Sequence, residues 1–169
     1  MQWISRRYYC LAIYLLGLDT FRWRYLSLGE IQLAKTVFGD LIDYSLVKVY
    51  NQRFIPWQLK GMVMAPCGAI HMCPTDFIED FSTESRMLQA LFIHEMTHIY
   101  QYQLKIAVLY KGALLQSAYY LSFKRYNPYY YRIDPNKSFM HYNIEQQGEI
   151  AKDIFLKKLP NIIKKPSPF

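Results

Sequence analysis

Residues 81–110, FSTESRMLQALFIHEMTHIYQYQLKIAVLY, contain neither glycine nor proline. A breaker-free run of this length, opening on Ser82 as N-cap with Glu84 and Arg86 in its first turns, predicts one long helix. Within it His94 and His98 lie four positions apart, with Glu95 between them and apolar residues on either side. At 3.6 residues per turn the two imidazoles leave one face a turn apart and can share an ion. Glu95 projects about 100° further round the axis, which suits it poorly as a third ligand and well as a base toward a metal-bound water. The H-E-x-x-H spacing thus carries a complete chemical logic. Zinc lowers the pKa of a bound water to about 7, and the glutamate takes its proton and later delivers it to a leaving amine.

A catalytic zinc needs a third protein ligand and an open fourth position. NIEQQGEIAKDIFLKKL, with Asn143 as N-cap and apolar periodicity through Ile144, Ile150, Ile154 and Phe155, predicts a second helix. It offers Glu145 and Glu149, one turn apart on one face, and the residues alone leave both open as the ligand. His141, four residues before Glu145, is a lesser competitor. Peptide hydrolysis also develops an oxyanion that a nearby donor can stabilise. His141 and the group Tyr126, Tyr129, Tyr130 and Tyr131 supply candidates, with His141 and Tyr131 taken as the transition-state stabilisers.

The rest of the chain frames these two helices. Ser27-Leu28-Gly29-Glu30 has the form of a capping box and opens a short helix that Gly39 stops. Alternation through Leu46, Lys48 and Tyr50 against Val47 and Val49 predicts a strand, and GMVMAPCGAIHMCP a second strand or hairpin arm. Gly68, Ala69 and Ile70 in the latter stand where, in the gluzincin zinc peptidases that the H-E-x-x-H segment resembles, an edge strand pairs with substrate backbone, and the resemblance makes them candidates for that role. The tyrosine-dense stretch 119–142, interrupted by Pro128 and Pro135, predicts irregular structure. Sixteen tyrosines lead to the expectation of a tyrosine-rich core.

SRRYYCLAIYLLGLD near the N-terminus is either an amphipathic helix or the remnant of an export signal, so residues 1–26 are set apart as an N-terminal helical segment. Its apolar run is too short and too rich in tyrosine to span a bilayer. Residues 160–169, with three prolines, read as a basic solvated tail. The net charge of +7 is spread without a run of five like charges, and no nucleic-acid partner is expected. Cys67 and Cys73 would stand about 20 Å apart in extended chain, beyond a disulfide's reach, and are expected reduced along with Cys10.

HEMTH followed by NIEQQGEIAKD resembles the gluzincin class of zinc peptidases, in which a glutamate on a second helix completes the site and an acidic residue one turn later braces a histidine. On that resemblance Glu145 is the ligand and Glu149 the brace. GEIQLAKTVFGDLIDYSLVKVYN, MAPCGAIHMCPTDFIEDFS, FIHEMTHIYQYQ and NIEQQGEIAKD, in that order over residues 27–155, are similar to small bacterial metallopeptidase domains. Some of these are fused to the C-terminus of VgrG spike proteins of type VI secretion, and others stand alone as effectors. The resemblance implies a zinc-dependent peptidase delivered into the periplasm of a rival cell, with a peptide or protein substrate, a secretion-apparatus carrier and a cognate immunity protein. The chain departs from the pattern at Gly148, where alanine is usual, and at Cys67, where a polar residue is; neither is expected to touch the ligands.

The expectation is therefore a single α+β domain over 1–169, a zincin-like metallopeptidase fold with a small antiparallel or mixed sheet, holding zinc between His94, His98 and Glu145. Two rivals remain from other classes: a zinc-bearing binding module without turnover, which an intact Glu95 argues against, and a basic module for nucleic acid or membrane surfaces.

Overall fold

The computed structural model describes residues 21–163. The proposed helix or signal remnant over residues 1–20, Cys10 and the last six residues of the tail lie outside them. The described elements make an α+β fold built on a three-stranded mixed sheet, β1 Trp23–Tyr25, β2 Lys48–Tyr50 and β3 Ala69–His71, in the order β1-β2-β3. β1 runs antiparallel to β2 with Arg24 opposite Val49, and β2 runs parallel to β3 with Val49 opposite Ile70. Val49 and Ile70, the central pair, are fully buried and turn the sheet's inner face toward the helices. β1 was not anticipated, since its residues fell in the segment read as helical.

Four helices complete the fold: α1 Leu28–Phe38, α2 Arg86–Gln103, α3 Val108–Leu121 and α4 Ile144–Phe155. The capping box of α1 forms as expected: Ser27 Oγ accepts from the Glu30 N–H, and the Glu30 carboxylate accepts from the Ser27 N–H. That fully buried carboxylate also takes both guanidinium nitrogens of Arg24 at 2.7 Å and the Phe81 N–H at 2.9 Å. One side chain thereby ties β1, α1 and the approach to α2 together. α2 and α4 pack closely along the centre of the single core, with Phe92, Ile93, Met96 and Ile99 meeting Ile150 and Ala151 inside it.

The long helix expected over 81–110 is two helices. Ser82 lies in a short 3-10 turn capped by Asp80, and Ser85 is the N-cap of α2. At the other end Lys105 adopts a left-handed φ of 64°, and the Ile106 N–H bonds back to the Gln101 carbonyl. This is a Schellman stop made without glycine. The chain then re-enters helix as α3, so residues 119–121, expected to be irregular, are helical. The tail expectation is also corrected for its first residues: Asn161 donates to the Val37 carbonyl, and Ile163 joins the core. Cys67 is exposed and Cys73 buried, both as free thiols.

Candidate metal centre

α2 presents His94 and His98 from one face, and α4 presents Glu145 opposite them, so that one ligand atom from each lies within 4.8 Å of the others. Among the described residues this is the one cluster of three metal-ligating side chains. His94 Nε2 stands 3.4 Å and His98 Nε2 3.6 Å from Glu145 Oε2. Ligands held at zinc distances of about 2.0–2.1 Å and the tetrahedral angle stand about 3.3–3.4 Å apart, so the spacing fits such an ion with little adjustment.

The nitrogens turned away from this point are fixed from behind. Glu149 Oε1 lies 3.1 Å from His94 Nδ1 and is itself held by Lys152 Nζ, 2.8 Å from the other carboxylate oxygen. Glu149 therefore sits behind a histidine, outside the three-residue cluster. His98 Nδ1 meets Gln101 Oε1 at 2.9 Å; Gln101 Nε2 donates to the Ile144 carbonyl and to Gln147 Oε1, and Gln147 Nε2 donates to the Tyr142 carbonyl. One imidazole is thus braced by a carboxylate and the other by a buried chain of neutral amides anchored at the start of α4. Such outer bonds fix the ring orientation and tautomer of metal-binding histidines. Sequence reading missed Gln101 and Gln147. The available signal was a glutamine three positions after His98 on the same helical face.

α2 and α4 approach closely because α4 carries glycine at the crossing. A Cβ on Gly148 would lie 2.5 Å from Cε1, 2.7 Å from Nδ1 and 2.8 Å from Nε2 of His94. The expectation that this position does not touch the ligands is overturned: Gly148 is the surface on which the His94 ring rests.

Electrostatics at the cluster follow from Glu145 within it and from Glu95 and Glu149 beside it. Burial opposes charge on His94, but hydrogen bonds to Glu145 and Glu149, with the field of Glu95, raise its pKa to about 10. His98 is raised by the same contest, burial against Glu145 and Glu95. Burial also opposes charge on Glu145 and Glu149, yet bonds to the imidazoles, and to Lys152 for Glu149, hold both at about 2. The carboxylates demand positive charge at the common point, a demand that a divalent ion meets as well as protons do. Glu95 differs: burial dominates and raises its pKa, and its Oε2 has no hydrogen-bond partner. A buried carboxylate with a raised pKa and one oxygen free of hydrogen bonds, beside the cluster, is poised to accept a proton.

The remaining candidates separate. Tyr131 donates its hydroxyl to Asp153 at 2.5 Å. His141 is exposed, its ring against Ser138 Oγ, and is not in the ligand cluster. Neither is placed as a stabiliser. Tyr129 faces the cluster instead, its ring 6.3 Å from that of His94, and its pKa is raised to about 12 by burial and by the charges of Glu145, Glu95 and Glu149. Gly68, Ala69 and Ile70 do not make a free edge at the site. Ile70 is buried in the core, and Gly68 and Ala69 line a separate hollow of about 260 Å³ with Leu46, Lys48, Tyr50 and Tyr102. The outer side of β3 is met at His71 by Met64 through paired backbone bonds of 3.1 and 2.8 Å, and the backbone of the next residue, Ala65, bonds the Glu95 carboxylate. The segment beside the cluster is therefore Met64–Ala65.

No protein-family model matches the chain. It is 48% identical over 143 residues to the type VI secretion system spike protein VgrG2b of Pseudomonas aeruginosa, which covers 84% of this chain and 14% of the relative's length. The chain thus spans a small part of that curated relative. The solved effector domain of P. aeruginosa VgrG2b is similar with a TM-score of 0.72 and 48% identity, over 79% of this chain and 73% of that one. On this combination of identity, coverage and shared fold, the chain belongs to the family of the VgrG2b effector domain.

Proposed function

We propose that the protein is a zinc-dependent peptidase of the zincin type, acting as an effector of type VI secretion. The observation that carries this reading is the triad of His94, His98 and Glu145 at spacings that fit tetrahedral zinc, with the buried Glu95 beside it. A zinc ion held there supplies Lewis acidity toward the scissile carbonyl and toward a bound water, whose pKa it lowers to about 7. The chain's own residues do the rest. Glu95 takes the proton of the attacking water and returns it to the leaving amine, a role that suits a carboxylate whose pKa burial has raised. Glu149 and the Gln101–Gln147 chain keep the two imidazoles aimed at one point. Tyr129, whose ring faces that of His94, would keep its proton and donate a hydrogen bond from its hydroxyl to the oxyanion that develops as the carbonyl is attacked.

The names of the relatives, a type VI secretion spike protein and its effector domain, support the delivery part of the reading, with a VgrG spike as carrier; a peptide or protein target in the periplasm of the recipient cell and an immunity protein in the producer complete the proposal. No helix among the described residues is long and apolar enough to cross a membrane. The test is a generic peptidase assay on the zinc-loaded chain, with Glu95→Gln and a chelated sample as controls. Activity lost in both, with zinc retained in Glu95→Gln, supports the proposal; Glu95→Gln activity equal to wild type refutes it.

A further inference from the structure

We propose that the outward face of α3 and the turn after it form a docking surface for an anionic lipid bilayer. At about 100° per residue, Leu109, Tyr110, Leu114, Tyr120 and Leu121 fall within an arc of about 140° of α3, and all are exposed. The opposite side, Val108, Gly112, Leu115 and Tyr119, faces the body of the protein, where Gly112 approaches Ile144 and Glu145. Both sides of this helix are apolar, and one has nothing to pack on. An all-round apolar helix is ordinarily buried, and a contiguous exposed apolar face marks an interaction site.

The turn sharpens the case. Leu121 is 80% and Phe123 89% exposed, and Phe123 and Lys124 take consecutive left-handed φ values of 52° and 65°. Two such residues in succession, neither of them glycine, are uncommon and hold Phe123 and Lys124 in the turn just beyond α3.

Charge selects the occupant. No aspartate or glutamate occurs from residue 96 to 133, whereas Lys105, Lys111, Lys124, Arg125 and Arg132 do. The first four form no ion pair with any described residue. Aliphatic and aromatic side chains rimmed by lysine and arginine suit the headgroup region of an anionic membrane, where the rings and chains bury and the cations meet phosphate. A second copy of the chain would bring the same cations face to face, which opposes self-association. At fourteen residues, about 21 Å, α3 is too short to span a hydrocarbon core of about 30 Å, so it lies at the surface. Docking in this way would hold the Glu145 side of the cluster about one helix diameter, roughly 10 Å, from the lipid. The inference stands on the surface alone and does not depend on the metal.

The test is co-sedimentation of the full chain with vesicles of phosphatidylcholine alone or mixed with phosphatidylglycerol, at low and high salt, with and without a chelator. The double variants Leu121→Glu/Phe123→Glu and Lys124→Glu/Arg125→Glu are compared with wild type, and circular dichroism and Tm check that they fold. The expected result is binding to the anionic vesicles that weakens with salt, ignores the chelator and falls at least tenfold in each double variant at unchanged Tm. The proposal is overturned by equal binding of variants and wild type, by equal binding to neutral and anionic vesicles, or by no vesicle binding. A dimer in sedimentation that Leu121→Glu/Phe123→Glu dissolves, without vesicle binding, would assign the face to a second copy.

Discussion

Gly148→Ala isolates the geometry on which the metal centre rests. The added methyl would stand 2.5 Å from His94 Cε1, whereas carbon atoms rest at about 3.5–4.0 Å. Either the ring or α4 must therefore give way by about 1 Å. Alanine at a helix interior gains about 0.8–1.0 kcal/mol over glycine. Overpacking a close contact costs about 1–3 kcal/mol. The two nearly offset, so the net loss is about 0–2 kcal/mol, which at about 2–4 °C per kcal/mol lowers Tm by at most about 8 °C. The metal is affected more than the fold. A shift of about 1 Å disturbs both the 3.4 Å approach of His94 to Glu145 and the 3.1 Å bond to Glu149, and disturbance of such outer bonds costs about 10–100-fold in metal affinity. Competition against a calibrated zinc chelator, alongside thermal melts, measures the two effects separately. Unchanged zinc affinity with an equal or higher Tm would refute the reasoning, because it would mean that the helix spacing does not depend on a glycine at that crossing.

The metal-free protein has a definite pH signature. His94, with its pKa raised to about 10, contributes stability that is full below the unfolded histidine value of about 6.5 and is lost as pH rises through 10. Glu145 and Glu149, lowered to about 2, contribute stability that is present above the ordinary glutamate value of about 4.3 and is lost as pH falls toward 2. Melts of the metal-free chain should therefore show this contribution largest between about pH 4.5 and 6.5, and the Tm gain on adding zinc should grow from pH 5 to 8; a gain that shrinks over that range would contradict the assignment. Gln101→Leu removes the brace of His98 and strands the Gln147 amide, so zinc affinity should fall about 10–100-fold and stability by about 1–3 kcal/mol, read by the same two assays. Glu30→Ala leaves the partly buried Arg24 guanidinium without its carboxylate and the Ser27 and Phe81 N–H groups without their acceptor, and should cost about 3 kcal/mol in denaturant melts while the folded fraction keeps its zinc.

Local signals with one mechanism were legible in the sequence. The histidine pair, the capping box at Ser27 and the Asn143 cap each need only the geometry of a single helix, and each is where that geometry puts it. The end of α2 was not legible, because its stop is a left-handed lysine; Phe123 and Lys157 stop α3 and α4 in the same conformation. Glycine is the residue that announces such a stop, and none is present at these three. Of the strands, each three residues long, β2 and β3 lie within the segments read as strands, whereas β1 lies in the segment read as helical and is held by its register with β2 rather than by a period-two pattern of its own. Tyrosine content misled in the opposite direction. Among the described residues only Tyr44 and Tyr142 belong to the buried core, while Tyr110, Tyr120, Tyr126, Tyr129 and Tyr130 are exposed, because tertiary placement rather than composition decides where an amphipathic ring is spent. The roles of Gly148 and Gln101 appear only when two helices are brought together, a relation that spans 43 residues or more and leaves no local trace.

Metal content of the purified chain tests the central claim most directly. The account predicts one zinc per chain in the wild type, near-complete loss in His94→Ala, His98→Ala and Glu145→Ala, and retention with weakened affinity in Glu149→Ala. A folded wild type that takes up no divalent metal, or a Glu145→Ala variant that holds zinc as tightly as the parent, would contradict it.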